Sequence, residues 1–424
     1  MYLPRILIGT TPDWRRACLR QVAHVPAGYT YLAQLMGHDM GNSVGLDSIP
    51  HVPAATGPAP DRKRPPMRYN QIENPLTLET VYGPGPKLQG HLYDPETLLF
   101  RITPGARLAR IYPGLPGLDG RARGTPIRAF YDERNRDTLM LHELTVAWMQ
   151  FHNLCARALM AAGKPPFVAY ALGRAHAVRV WHAILTVDLL PRFLHPQIAT
   201  LPAGTLPLAW ELNEPPLLHG LFRAFHALPL AAYPMRRTAP QALGRLMKSG
   251  IAPSHAETTD WRVDWPAFFG EASDGPLTGL SASVAPELRM AEAIAAMDFV
   301  TATETFPMRL DNRALRRALR ALPGDWPARL APKRLAEDFA AAHPDAPGLP
   351  GPGVLRRGPL YLALLVEAQL HGQNGGFGPF GSALLRASAL GSMARVQLAG
   401  ETVATRRLPR PATMLELINL TREG

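Results

Sequence analysis

The sequence predicts a mainly α-helical fold with long irregular connections and little β-structure. Three observations carry that expectation. Leu141, Leu144, Trp148, Phe151 and Cys155 repeat at the spacing of one helical face. Proline and glycine are abundant, at 44 and 36 of 424 residues, and they cluster. Strand signals are weak and confined to Leu98–Thr103 and Met393–Val403.

Taken in order, Thr30–Asp39 (TYLAQLMGHD) is a helix-compatible apolar stretch. Gln34 and His38 lie four residues apart in it, so a helix puts both on one face. Val52–Met67 and Ile111–Pro126 are dense in Pro and Gly and read as surface excursions. Beyond the helix around Trp148, a second periodic segment runs from Ala171 to about Leu190 and stops at Pro191. Further helices are expected near Met290–Phe306 and Leu360–Leu370, with a third excursion over Leu322–Gly353. Connections this long mean either disorder or loops wrapped round a buried site. They are not rich in Ser, Gln or Glu, which favours the wrapped site.

The bulk numbers narrow the function classes. An apolar fraction of 46% allows a sizeable core, and no apolar run reaches the roughly 18 residues of a membrane span. The first twenty residues include Asp13, Trp14 and several arginines, unlike the apolar region of a signal peptide, so a cytoplasmic location is the default expectation. Export without an N-terminal signal is the alternative. Two cysteines, Cys18 and Cys155, give neither a disulfide framework nor a zinc spacing. The net charge of +11 invites a nucleic-acid reading, but the arginines are scattered through the chain. Only Arg313, Arg316, Arg317 and Arg320 form a run, a wide basic face on a helix that reads as solvated, so no nucleic-acid partner is expected.

Several motifs follow one another in a recognisable order. Gly28–Asp39 (GYTYLAQLMGHD) is similar to the pattern FTYxGQFxxHD, and Asn74–Pro86 (NPLTLETVYGPGP) to LDLDSVYGPGP. Asp132-Glu133-Arg134-Asn135, an apolar helix and then Phe151-His152-Asn153 resemble DPRNDEN followed by FHN. Phe222–His226 (FRAFH) looks like AFRxGH, and Leu364–Ala368 with Phe377–Gly381 resembles ILxEA with LGPVG. Together, from about residue 22 to about 396, the chain resembles the animal-type haem peroxidases, in a bacterial-looking form, and a single domain over 1–424 is expected.

That resemblance implies haem b, with hydrogen peroxide and a small organic or halide donor as substrates. Cleaving peroxide at haem needs a base that moves a proton between the two oxygens, and a fixed positive charge for the leaving oxygen. By the motif match His38 is the acid–base residue, Arg134 the charge and Gln34 the residue that positions the small ligand. His226 is the proximal iron ligand, with His182, His195 and His219 as competitors. Arg223 falls where relatives place an arginine beside a haem propionate. Related fatty-acid dioxygenases have a radical-forming tyrosine there, so Arg223 argues against their chemistry. Asn312 is placed to accept a hydrogen bond from His226.

The departures from the pattern matter equally. Gly37 replaces the acidic residue that can form one haem ester, Asp137 shortens the glutamate of the other, and Thr138 excludes a methionine link. Haem is therefore expected to be held non-covalently. Asp39 matches a calcium ligand of relatives, but Thr77 and Glu79 stand where further carboxylates and a serine are expected, short of the oxygen set calcium needs. Such loosened motifs also suit a haem-poor scaffold or binding protein of the same fold.

Overall fold

The structure is a computed structural model that describes residues 24–45, 68–102, 110–111, 127–128, 130–202, 205, 221–222, 224–230, 232–236, 238–247, 261–271, 274–280, 313–357 and 360–423. Its principal helices are α1 (Gly28–Met40), α2 (Leu139–Ala161), α3 (Pro166–Ile184), α4 (Arg313–Arg320), α5 (Pro332–Ala342), α6 (Leu360–His371), α7 (Pro379–Arg395) and α8 (Met414–Glu423). Strands among the described residues form only two-stranded antiparallel pairs.

The α2 helix is the axis of the core. Every residue from Leu139 to Asn153 is buried, the pattern of a helix covered on all sides. Its start is set by Thr138, whose hydroxyl accepts from the Leu141 N–H. Trp148 meets Trp181 of α3 edge to face, with centroids 5.3 Å apart. Two of the buried polar groups on α2 tie it to neighbouring segments. Asn153 bonds both the N–H and the carbonyl of Phe100, and Glu143 accepts from Trp265 Nε1 at 3.0 Å. Cys155 is a fully buried core residue, as expected.

α1 packs against α2 and is fixed at its start. Val25–Pro26 pairs with Leu277–Thr278 just before the helix begins. Tyr29 then donates to Asp188 at 2.5 Å, and the other oxygen of Asp188 accepts from the Met414 N–H that opens α8. Asp188 lies in a π-helical turn, Leu185–Leu189, that continues α3.

Four expectations are corrected. The segment ending at Pro191 runs on as a short helix, Leu190–Phe193. The wider π turn sits just before the proline, which has no N–H to extend the α ladder. Leu322–Gly353 is largely helical: Pro332 stands in the first turn of α5, where its missing N–H costs nothing, and Leu335, Ala336 and Phe339 form a buried stripe. The strand at Leu98–Thr103 is a single bridge, Tyr93 to Phe100, because the Phe100 backbone is taken by the Asn153 side chain. The strand at Met393–Val403 is the end of α7, an irregular stretch and a one-turn helix capped by Thr402.

The basic face of α4 points to solvent, with Arg316, Arg317 and Arg320 exposed and Leu315 and Ala318 buried. The helix expected at Met290–Phe306 lies outside the described residues. Among the described residues no helix is long and apolar enough to cross a membrane.

Candidate active site

The exposure pattern of α1 locates the site. All of its residues are buried except Gln34, Gly37 and His38, which lie three and four positions apart on one stripe. The helix is enclosed everywhere except where these three residues look out. Phe222 closes on this stripe: a β-carbon added to Gly37 would lie 3.3 Å from its ring. The ring therefore fills the space that an acidic side chain at position 37 would need.

The segment bearing Phe222 also carries His226, half-buried on the 3₁₀ turn Phe225–Ala227. Its chain neighbour Phe225 is packed among aromatic rings. Phe225 meets Phe193 and Phe377 edge to face and stacks with Phe222. This places two histidines on segments that pack together, one on a polar stripe and one next in the chain to a packed phenylalanine. Arg223, Asn312 and His219 lie outside the described residues. Of the other competitors, His182 bonds the Leu76 carbonyl, and His195 is buried with its ring against Trp326.

Two chain segments hold His38 from behind. Its Nδ1 is 2.9 Å from Asn135 Oδ1. Asn135 is fully buried, and its Nδ2 donates to the carbonyl and hydroxyl of Thr80 at 3.1 and 3.2 Å. The Thr80 hydroxyl in turn donates to Asp132. Asp132 caps the turn Glu133–Arg136 by accepting from the Arg134 N–H.

Arg134 stands beside His38, but on its backbone side. Nη2 donates to the His38 carbonyl at 3.0 Å, Nη1 to the Gly41 carbonyl at 2.7 Å, and Nε and Nη2 to Asp132. A cation on the last carbonyls of a helix stabilises that end. This differs from the expectation of a charge facing the bound peroxide. Burial raises the Asp132 carboxyl, but the Arg134 charge and hydrogen bonds outweigh it and hold the group below the usual carboxylate range.

Asp39, next to His38, is completely buried and surrounded by donors. Its oxygens accept from Leu78 N, Thr80 N and Trp181 Nε1 at 2.8, 3.2 and 3.0 Å. Burial pushes its carboxyl up to about 7 even so. N–H groups converging on a carboxylate occupy the directions a cation would need, so this arrangement does not fit a calcium ion at Asp39. Among the described residues, no group of three acidic, His or Cys side chains could hold a metal. Asp137 is half-buried at the end of the Glu133–Arg136 turn.

Sequence reasoning missed Asn135 and Thr80. Asn135 stood in plain view beside Arg134, but nothing in the spacing indicates where a 3₁₀ turn aims its side chains.

The fold has known counterparts. Peroxidase A from Dictyostelium discoideum matches with a TM-score of 0.57 and 13% identity, over 97% of this chain and 89% of that one. Fatty acid alpha-dioxygenases of Arabidopsis thaliana and Oryza sativa match with TM-scores of 0.55 and 0.52, each at 12% identity. The alignments cover 97% and 98% of this chain and 73% and 77% of theirs. No protein-family profile and no curated sequence matches. The chain has the animal haem peroxidase-like fold.

Proposed function

We propose that this chain is a haem-dependent peroxidase that reduces hydrogen peroxide and oxidises an organic or halide donor. The observation that carries the reading is the half-buried Gln34–Gly37–His38 stripe on an otherwise buried helix, with His38 braced through Nδ1. The residues suit haem: the half-buried His226 would offer an iron ligand, and the phenylalanine cluster around its neighbour Phe225 would offer apolar surface for a flat macrocycle. Arg223 and Asn312 would serve a propionate and His226, and Asp137 would contribute at the edge. With Gly37 opposite Phe222 and no acidic residue there, haem is held without a covalent link at that position. When bound, haem supplies the electron transfer to peroxide and from the donor.

The protein's own part is proton transfer and orientation. His38 Nε2 takes a proton from hydrogen peroxide and delivers it to the departing oxygen, which leaves as water. Gln34, one turn earlier on the same face, orients the small ligand by hydrogen bonding. Arg134 keeps the end of α1, and with it His38, in place while its charge is balanced by Asp132.

The dioxygenase neighbours favour a second reading, oxygenation of a fatty acid, against which Arg223 stands in place of a tyrosine. Peroxide-dependent oxidation of an aromatic donor, lost in His38→Ala, is the expected result with haem-loaded protein. Oxygen consumption with a fatty acid and no peroxide turnover would establish the second reading instead.

A further inference from the structure

We infer that Asn135 is a positioning residue that fixes the tautomer of His38, anchored by the Thr80 backbone. The Thr80 carbonyl can only accept, so the group 3.1 Å from it must be the Asn135 NH₂. Turning the amide over would set two carbonyl oxygens against each other in a fully buried place. The Thr80 hydroxyl agrees: its proton goes to Asp132 Oδ2 at 3.0 Å, so towards Asn135 Nδ2 at 3.2 Å it accepts.

Asn135 Oδ1 therefore faces His38 Nδ1 at 2.9 Å, and Nδ1 carries the proton. In the neutral ring Nε2 is then the basic nitrogen. The relay Thr80–Asn135–His38 selects the tautomer whose lone pair lies on Nε2. Asp39 steadies it by accepting from the Thr80 N–H, and Asp132 by accepting from the Thr80 hydroxyl.

The functional weight of this relay rests on reading His38 as the proton-transfer base; the tautomer itself does not. It is measured on protein labelled with ¹⁵N-histidine, at a pH above the histidine titration, with His38→Gln to assign the signal. Wild type is expected to show His38 protonated at Nδ1. Asn135→Leu, near Asn in shape but without an acceptor, is expected to shift the ring towards protonation at Nε2. Thr80→Val, which disturbs the same network but leaves the Thr80 carbonyl and the Asn135 acceptor, is expected to keep Nδ1 protonated. The rate of reaction with peroxide is expected to fall at least tenfold in Asn135→Leu. A His38 ring protonated at Nε2 in wild type overturns the inference, and that result needs no variant to fold. An Nδ1-protonated ring with a peroxide rate independent of His38 leaves the tautomer standing and removes the peroxidase reading instead.

Discussion

Glu367 of α6 is a buried carboxylate whose titration should set the pH dependence of stability. It is 2% exposed, and its oxygens accept from the N–H groups of Phe380 and Gly381 at 2.5 and 3.0 Å, in the first turn of α7. An anion at a helix N-terminus is favourable. Burial nevertheless dominates, and it pushes the carboxyl from its ordinary 4.5 up to about 7 against the lowering by those two donors. The sign follows from proton counting. Between about pH 4.5 and 7 the folded state holds a proton that the unfolded chain has released, so stability falls as pH rises through that window. The difference between the two values corresponds to about 3 kcal/mol across the window. Glu367→Gln removes this titration. Urea denaturation of both proteins from pH 4.5 to 8.5 should therefore show wild type losing about 3 kcal/mol relative to the variant as pH rises. A difference between the two that stays constant over that range would refute the reasoning.

Other perturbations test the bracing of His38. Asp39→Ala leaves the N–H groups of Leu78, Thr80 and Trp181 buried without their acceptor, and should cost about 3 kcal/mol or more in chemical denaturation. Because those donors occupy the carboxylate, a chelator or millimolar calcium should leave the melting temperature of wild type unchanged; a calcium-dependent rise would contradict the arrangement described. Arg134→Gln leaves Asp132 as a buried charge without its partner, at a cost of about 3 kcal/mol, and should speed amide exchange in the last turn of α1. Unchanged exchange there would remove the capping role.

Much of this architecture is legible in the sequence because it depends on periodicity. α2 declares itself through the apolar stripe of Leu141, Leu144, Trp148, Phe151 and Cys155, and the spacing of Gln34 and His38 on α1 foretells the stripe that opens to the site. α5 is harder, because Pro332 reads as a breaker when it is a helix start. α7 hides in a run of Gly, Ser and Ala whose helicity comes from burial; Ala389 and Ser392 keep its far end against the core. Glu367 and Phe377–Gly381 are separate motifs in the sequence and one unit in the structure. A β-carbon on Gly378 would lie 2.6 Å from Glu367 Cγ, so glycine there is what lets the carboxylate reach the start of α7. The reach of Arg134 to the carbonyls of His38 and Gly41, and the donors around Asp39, depend on side-chain directions set by tertiary contact. No pattern along the chain carries them.

The most direct test of the whole account is the absorption spectrum of protein produced with haem supplied, recorded for wild type and His226→Ala, before and after one equivalent of hydrogen peroxide. The account predicts a Soret band in wild type that shifts on peroxide addition and is lost in His226→Ala. A band of equal strength and position in His226→Ala would contradict the iron-ligand assignment. No Soret band in wild type would make this a haem-free protein of the peroxidase fold.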